Sequence, residues 1–199
     1  MERIMLFDID KTIFDTKTSG KRMSKNIGLV TRRTPEEIER INGEYKSGLE
    51  STTDFNSNDF LREVSKQTET NIEGLNGVLS ISDNFVLFPE TLIILKKLLD
   101  EGYSLGTFSE GVPEWQMKKL ILTGVIGYLD PSLIIVERRK LELKAISKLP
   151  TGAKVIDDKK EVIEKLKQVR PDLQLVWINR KDDICLDGVL TVKNLEELI

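Results

Sequence analysis

Five short apolar runs punctuate the chain, at 4–7, 103–108, 133–136, 153–156 and 173–178. Each has the length of a buried strand. They are near-continuous rather than alternating, the pattern of strands covered on both faces in a parallel sheet. Helical periodicity precedes the second run and fills the gaps between the last four. Residues 89–101 set Leu92, Leu95, Leu98 and Leu99 on one stripe and meet Gly102, a helix-stopping residue. Residues 113–122 open on Pro113, tolerated in a first turn, and 140–149 and 160–169 follow the same scheme. Alternating strand and helix with short links predicts a doubly wound, Rossmann-like α/β sheet. A final pair, 189–192 and 194–199, reads as an edge strand and a terminal helix.

Residues 16–86 break this rhythm. The segment is polar and carries two helix-like patches, 34–45 and 58–66, the first introduced by the start signal Thr34-Pro35-Glu36-Glu37. About 70 residues are too many for a loop. The expected organisation is a core of residues 1–15 and 87–199, with 16–86 inserted as a small helical module over one edge of the sheet.

Composition narrows the chemistry. The chain has 199 residues, 39% hydrophobic and 32% charged, with a net charge of −3, so nothing global recommends a nucleic acid or membrane partner. One cysteine, Cys185, cannot form an internal disulfide. No run approaches the ~18 apolar residues of a membrane span, and the first apolar run is too short for a signal-peptide core; a cytoplasmic protein is expected. Histidine is absent, which excludes histidine triads and histidine-rich zinc sites.

Carboxylates stand where chemistry would be expected. Asp8 and Asp10 follow the first strand directly, and Asp157 and Asp158 end the fourth. In an open α/β sheet these positions face the crevice at the carboxyl ends of the strands, where ligands bind. Paired buried acids repel unless a cation separates them, and a hard ion such as Mg2+ suits oxygen ligands while leaving room for phosphate. Ser109 ends the second strand and Lys140 follows the third, so four core strands each deliver a polar or charged residue to one rim.

These motifs together resemble the haloacid dehalogenase (HAD) superfamily. Phe7-Asp8-Ile9-Asp10-Lys11-Thr12 is similar to its first motif, D-x-D-x-T. Ser109 resembles the second, Lys140 the third and Val155-Ile156-Asp157-Asp158 the fourth, in the family's order. The resemblance implies that Asp8 attacks phosphorus to form an aspartyl-phosphate, and that Asp10 protonates the leaving oxygen and then deprotonates water. Ser109 and the backbone N–H of Glu110 would hold phosphoryl oxygens, and Lys140 would neutralise charge. Mg2+ would be held by Asp8, the Asp10 carbonyl and Asp158, with Asp157 in support.

The second Asp of D-x-D marks the family's phosphatases and phosphomutases rather than its dehalogenases. The expected function is therefore a Mg2+-dependent phosphatase acting on a small phosphorylated metabolite. A phosphomutase or phosphotransferase, or a non-catalytic phosphate-binding domain, are the alternatives. The inserted module matches the family's substrate-selecting cap. Seven basic residues and one acid between Lys11 and Arg33 could draw in a phosphorylated substrate. Two positions depart from the pattern: Glu110 stands where many relatives carry Asn, and Arg138, Arg139 and Lys144 compete with Lys140, Lys144 being the second choice. Trp115, Trp177 and Cys185 carry no expected function, and oligomeric state is left open.

Overall fold

A computed structural model describes residues 3–199. Six parallel strands form one sheet: β1 (Arg3–Phe7), β2 (Tyr103–Glu110), β3 (Ile134–Glu137), β4 (Lys154–Asp157), β5 (Gln174–Ile178) and β6 (Leu190–Val192). Their order is β3-β2-β1-β4-β5-β6. The chain leaves β1 toward β2 and β3, then returns past β1 to lay down β4, β5 and β6. This reversal opens a crevice between the carboxyl ends of β1 and β4, the usual ligand position of doubly wound sheets. The register pairs Phe7 with Ile156 and with Thr107, which brings Asp8, Asp157 and Ser109 to one rim.

Both faces of the sheet are covered, as the continuous apolar runs require. Met5, Phe7, Leu105, Ile156, Val176 and Ile178 point into one apolar cluster, whereas Leu6, Phe108 and Val155 point into a second, the alternation of successive strand residues. The first cluster packs against α5 (Thr91–Asp100) and α6 (Pro113–Leu122), and the second against the short α7 (Leu143–Ile146) and α8 (Lys160–Val169). Gly106 is required where β2 passes the residues entering β3. A Cβ there would lie 2.3 Å from the Leu133 carbonyl oxygen and 2.7 Å from a Leu6 methyl.

Residues 16–86 contain no sheet strand. They form α1 (Thr16–Thr31), α2 (Pro35–Ser47), α3 (Ser57–Thr68) and α4 (Ile72–Asn76), with 3-10 turns between and after them. Met23, Ile27, Ile38, Ile41, Phe60 and Leu61 continue the first apolar cluster out of the sheet. The two crossings of this segment are tied together by a bridge between Phe14 and Leu87. Arg180 adds a second tie, donating to the Thr12 carbonyl at 2.9 Å and pairing with Glu90 at 2.7 Å.

Several local expectations hold and others need correction. The Thr34 start is a full capping box: Thr34 accepts from the Glu37 N–H at 3.2 Å while its own N–H donates to the Glu37 carboxylate at 2.8 Å. Gly102 follows α5 at φ +83°. The buried stripe of α5 is Thr91, Ile94, Leu95 and Leu98, however, with Leu92 and Leu99 turned outward. The expected helix at 140–149 shrinks to Leu143–Ile146, and that at 194–199 is a 3-10 turn, Leu195–Leu198. α1 was unforeseen because its buried positions are mostly small or polar: Ser19, Met23, Ser24, Ile27, Gly28 and Thr31. A stripe of that kind has no hydrophobic period to read.

Gly106→Ala tests the tight crossing. Over-packing of this kind costs about 1–3 kcal/mol, equivalent to a fall in Tm of roughly 2–4 °C per kcal/mol for a chain of this size. Thermal melts comparing it with Gly127→Ala, where a Cβ meets nothing within 4 Å, should show the loss at Gly106 only.

Candidate active site

Asp8 leaves β1 almost wholly buried, its N–H donating to the Ile156 carbonyl at 2.8 Å. Its Oδ1 accepts from Ser109 Oγ at 3.1 Å and from Lys140 Nζ at 2.7 Å. Oδ2 has no hydrogen-bond partner among the described residues. Lys140 Nζ also reaches Asp157 Oδ2 at 2.5 Å. The lysine is fully buried, and although burial alone would lower its pKa, the charges of Asp157 and Asp8 raise it and keep the ammonium ionised. Among the competing basic residues, Lys140 is the one that the fold places at Asp8. Lys144 is exposed, and Arg138 and Arg139 are committed to Asp54, the latter through two bonds of 2.6 and 2.9 Å. Lys140 itself lies in the turn ahead of α7, not on a helix.

Carboxylate oxygens of Asp8, Asp157 and Asp158 lie within 4.8 Å of one another. One ammonium faces three acids, and the imbalance is visible in the proton affinities of Asp157 and Asp158. Burial first, and the charge of Asp8 second, push the Asp158 carboxyl up to about 6. Burial likewise raises Asp157 despite its bond to Lys140. An all-oxygen donor set with uncompensated negative charge fits a hard divalent cation. The three acids are not equivalent, however. Asp157 has both oxygens engaged, Oδ2 by Lys140 and Oδ1 by the Lys159 N–H at 2.9 Å. Asp8 Oδ2 and the Asp158 carboxylate carry no such bond among the described residues. Trp177, to which the sequence lent no role, donates to the Asp158 carbonyl at 3.0 Å and steadies this turn.

Asp10 lies apart from this triad, and its partners were not foreseen. Lys119 Nζ, nearly buried, contacts both Asp10 oxygens at 2.6 and 2.7 Å, Gln116 Nε2 donates to Oδ2 at 2.9 Å, and Thr16 Oγ1 donates to Oδ1 at 2.7 Å. Burial would raise this carboxyl, but the Lys119 charge and the three sets of hydrogen bonds outweigh it and hold the pKa at about 2. A signal for this pair did exist. The buried positions of α6 are Gln116, Lys119 and Leu120, so two polar residues occupy a stripe that packing alone would have made apolar. Glu110, the departure from the family pattern, has its carboxylate paired with Lys159 at 3.0 Å. Its carbonyl accepts from Gln116 at 2.8 Å.

A cavity of about 400 Å3 opens over Asp8 and Asp10, walled by the insertion on one side and by α6 on the other. Of the basic run from Lys11 to Arg33, only Lys11 lines it, and the other lysines there are Lys46, Lys119 and Lys159. Trp115, for which the sequence suggested no function, is part of its wall.

No family model matches the chain. It is 29% identical over 140 residues to the glyceraldehyde 3-phosphate phosphatase of Methanothermobacter thermautotrophicus, a match covering 65% of this chain and 61% of that protein. The whole chain superposes on a HAD phosphatase from Thermococcus onnurineus with a TM-score of 0.66 and 25% identity, covering 96% of that structure. The HAD-hydrolase YfnB of Bacillus subtilis, bound to magnesium, aligns with 99% of this chain and 96% of its own at TM-score 0.66 and 15% identity, a likeness of fold.

The acid triad has a thermodynamic signature. A carboxyl with a folded pKa of about 6, above the unfolded value of about 4, stabilises the fold below the lower value and loses that contribution as pH rises through the higher one. Metal-free protein should therefore melt higher near pH ~5 than near pH ~8. Added Mg2+ should raise Tm more at the higher pH, where the carboxylates are ionised. Equal Mg2+ shifts at the two pH values, or none, would remove the triad as a cation site.

Proposed function

The chain belongs to the HAD superfamily, and on that premise we propose that it is a Mg2+-dependent phosphatase hydrolysing a small phosphate monoester through an aspartyl-phosphate on Asp8. The observation that carries this reading is the geometry around Asp8. One oxygen is fixed by Ser109 and Lys140, and the other is free of protein partners among the described residues. A nucleophile must be held in place yet keep a lone pair for phosphorus.

In the first step Asp8 Oδ2 attacks phosphorus, and Asp10 delivers a proton to the departing oxygen. Lys140 and Ser109 offset the charge that builds on the transferring group. In the second step water attacks the aspartyl-phosphate, Asp10 takes its proton, and Asp8 is regenerated. Lys119 favours the ionised Asp10 that this second step needs. An incoming phosphate places negative charge beside Asp10 and opposes ionisation, which supports proton donation in the first. Asp8, Asp158 and the Asp10 carbonyl would hold Mg2+, which when bound supplies charge neutralisation between carboxylate and phosphate. Asp157 serves by holding Lys140 and the β4 turn. Residues 16–86 act as a cap that covers the cavity and selects the leaving group, closed down by the Arg139–Asp54 pair across the rim.

The relative named a glyceraldehyde 3-phosphate phosphatase supports the reaction class. With Mg2+, purified protein should release phosphate from members of a phosphate monoester panel. Asp8→Asn should abolish that release while leaving the circular dichroism spectrum and Tm near wild type. Retained turnover in Asp8→Asn would overturn the nucleophile assignment. Lys119→Met should reduce kcat by about 10–100-fold, within the usual range for losing control of a general acid–base.

A further inference from the structure

The cavity over Asp8 is more than a phosphate slot. Phe14, Phe55, Phe60 and Trp115 line it, and the Phe55 ring holds those of Phe60 and Trp115 in place. Phe55 lies 5.7 Å from Phe60 and 6.1 Å from Trp115 between centroids, and Tyr45 backs Phe55 edge-on at 5.6 Å. Trp115 is braced from behind by Phe85 at 5.6 Å. Rings so mutually supported form a wall that exists before any ligand arrives. At ~30 Å3 per molecule the space would take about a dozen waters, so a three-carbon phosphate would leave much of this apolar wall wet.

Two polar atoms point to what completes the occupant. Asn42 on α2 and Gln116 on α6 line the cavity, and their amide oxygens, Oδ1 and Oε1, are buried with no hydrogen-bond partner among the described residues. Gln116 is only 2% exposed, and its amide nitrogen is already spent on Asp10 and the Glu110 carbonyl. A buried acceptor without a donor is costly unless a ligand supplies one. Lys46, one turn beyond Asn42 on α2, stands at the mouth with its ammonium 5.4 Å from the Phe55 ring centre and no ion pair among the described residues.

We infer that the substrates are phosphate monoesters whose leaving group carries a flat ring with hydrogen-bond donors on its edge. The phosphoryl group sits at Asp8, the ring lies against Phe55 and Trp115, and ring-edge N–H or O–H groups reach Asn42 and Gln116. Aromatic contact of this kind prefers a planar face over equal apolar bulk. The inference rests on the phosphatase reading above and goes against the three-carbon ester in the relative's name.

The test compares benzyl phosphate, cyclohexylmethyl phosphate, n-propyl phosphate and glyceraldehyde 3-phosphate under Mg2+, with wild type and Phe55→Leu. The first three leave as alcohols of similar acidity, so differences in kcat/KM report the cavity. Wild type should favour benzyl phosphate by about tenfold over both the propyl and the cyclohexylmethyl esters, mainly through KM. Phe55→Leu should shrink that ratio. Equal or better turnover of the three-carbon esters, or parity of cyclohexylmethyl with benzyl, would overturn the flat-ring assignment and leave the phosphatase standing. Failure to hydrolyse any ester by folded protein would overturn the phosphatase reading and this inference with it. Should Phe55→Leu not fold, the wild-type ratio alone decides.

Discussion

One buried ammonium organises the catalytic rim. Lys140 is the charge that allows Asp8 and Asp157 to stand side by side at the ends of β1 and β4. Without it two desolvated carboxylates would confront each other in the crevice, and breaking a buried pair by removing one partner costs about 3–5 kcal/mol. Its position constrains everything nearby. The turn after β3 brings the lysine inward ahead of α7, and Ser109 shares the same Asp8 oxygen. What the ammonium does not neutralise is equally informative. The Asp158 carboxylate and the second oxygen of Asp8 carry no hydrogen bond among the described residues, so both stay open to a ligand.

A second lysine repeats this device with a different consequence. Lys119 holds both oxygens of Asp10 and depresses its pKa, whereas burial raises those of Asp157 and Asp158. Two carboxylates two residues apart thus have different lysine partners, Lys140 for Asp8 and Lys119 for Asp10. Glu110, whose charge would oppose an anion at this rim, is paired with Lys159. The departure from the family pattern is compensated locally.

Much of the fold was legible because its signals are local. Apolar runs mark strands whatever surrounds them, and Thr34, Pro113 and Gly102 act through backbone chemistry within a few residues. α1 escaped because its buried face is built from Ser, Gly and Thr, which pack closely against neighbours but carry no hydrophobic period. Lys119 and Gln116 escaped for a related reason. A lysine on a helix is solvated by default, and only the approach of Asp10, 109 residues earlier, makes burial favourable. That Trp115 lines the cavity as well as packing on the core was not legible, because the two look alike in one dimension.

Asp8 and its neighbours in order along the chain, the parallel sheet that carries them and the insertion after Asp10 were determined by the sequence alone, since each follows from residue type and spacing. Which lysine enters the site, which acids keep a free oxygen and how wide and aromatic the cavity is were decided only in three dimensions. Those properties depend on distances between segments far apart in the chain, and on the energy of burying charge, which exists only once the partners have met.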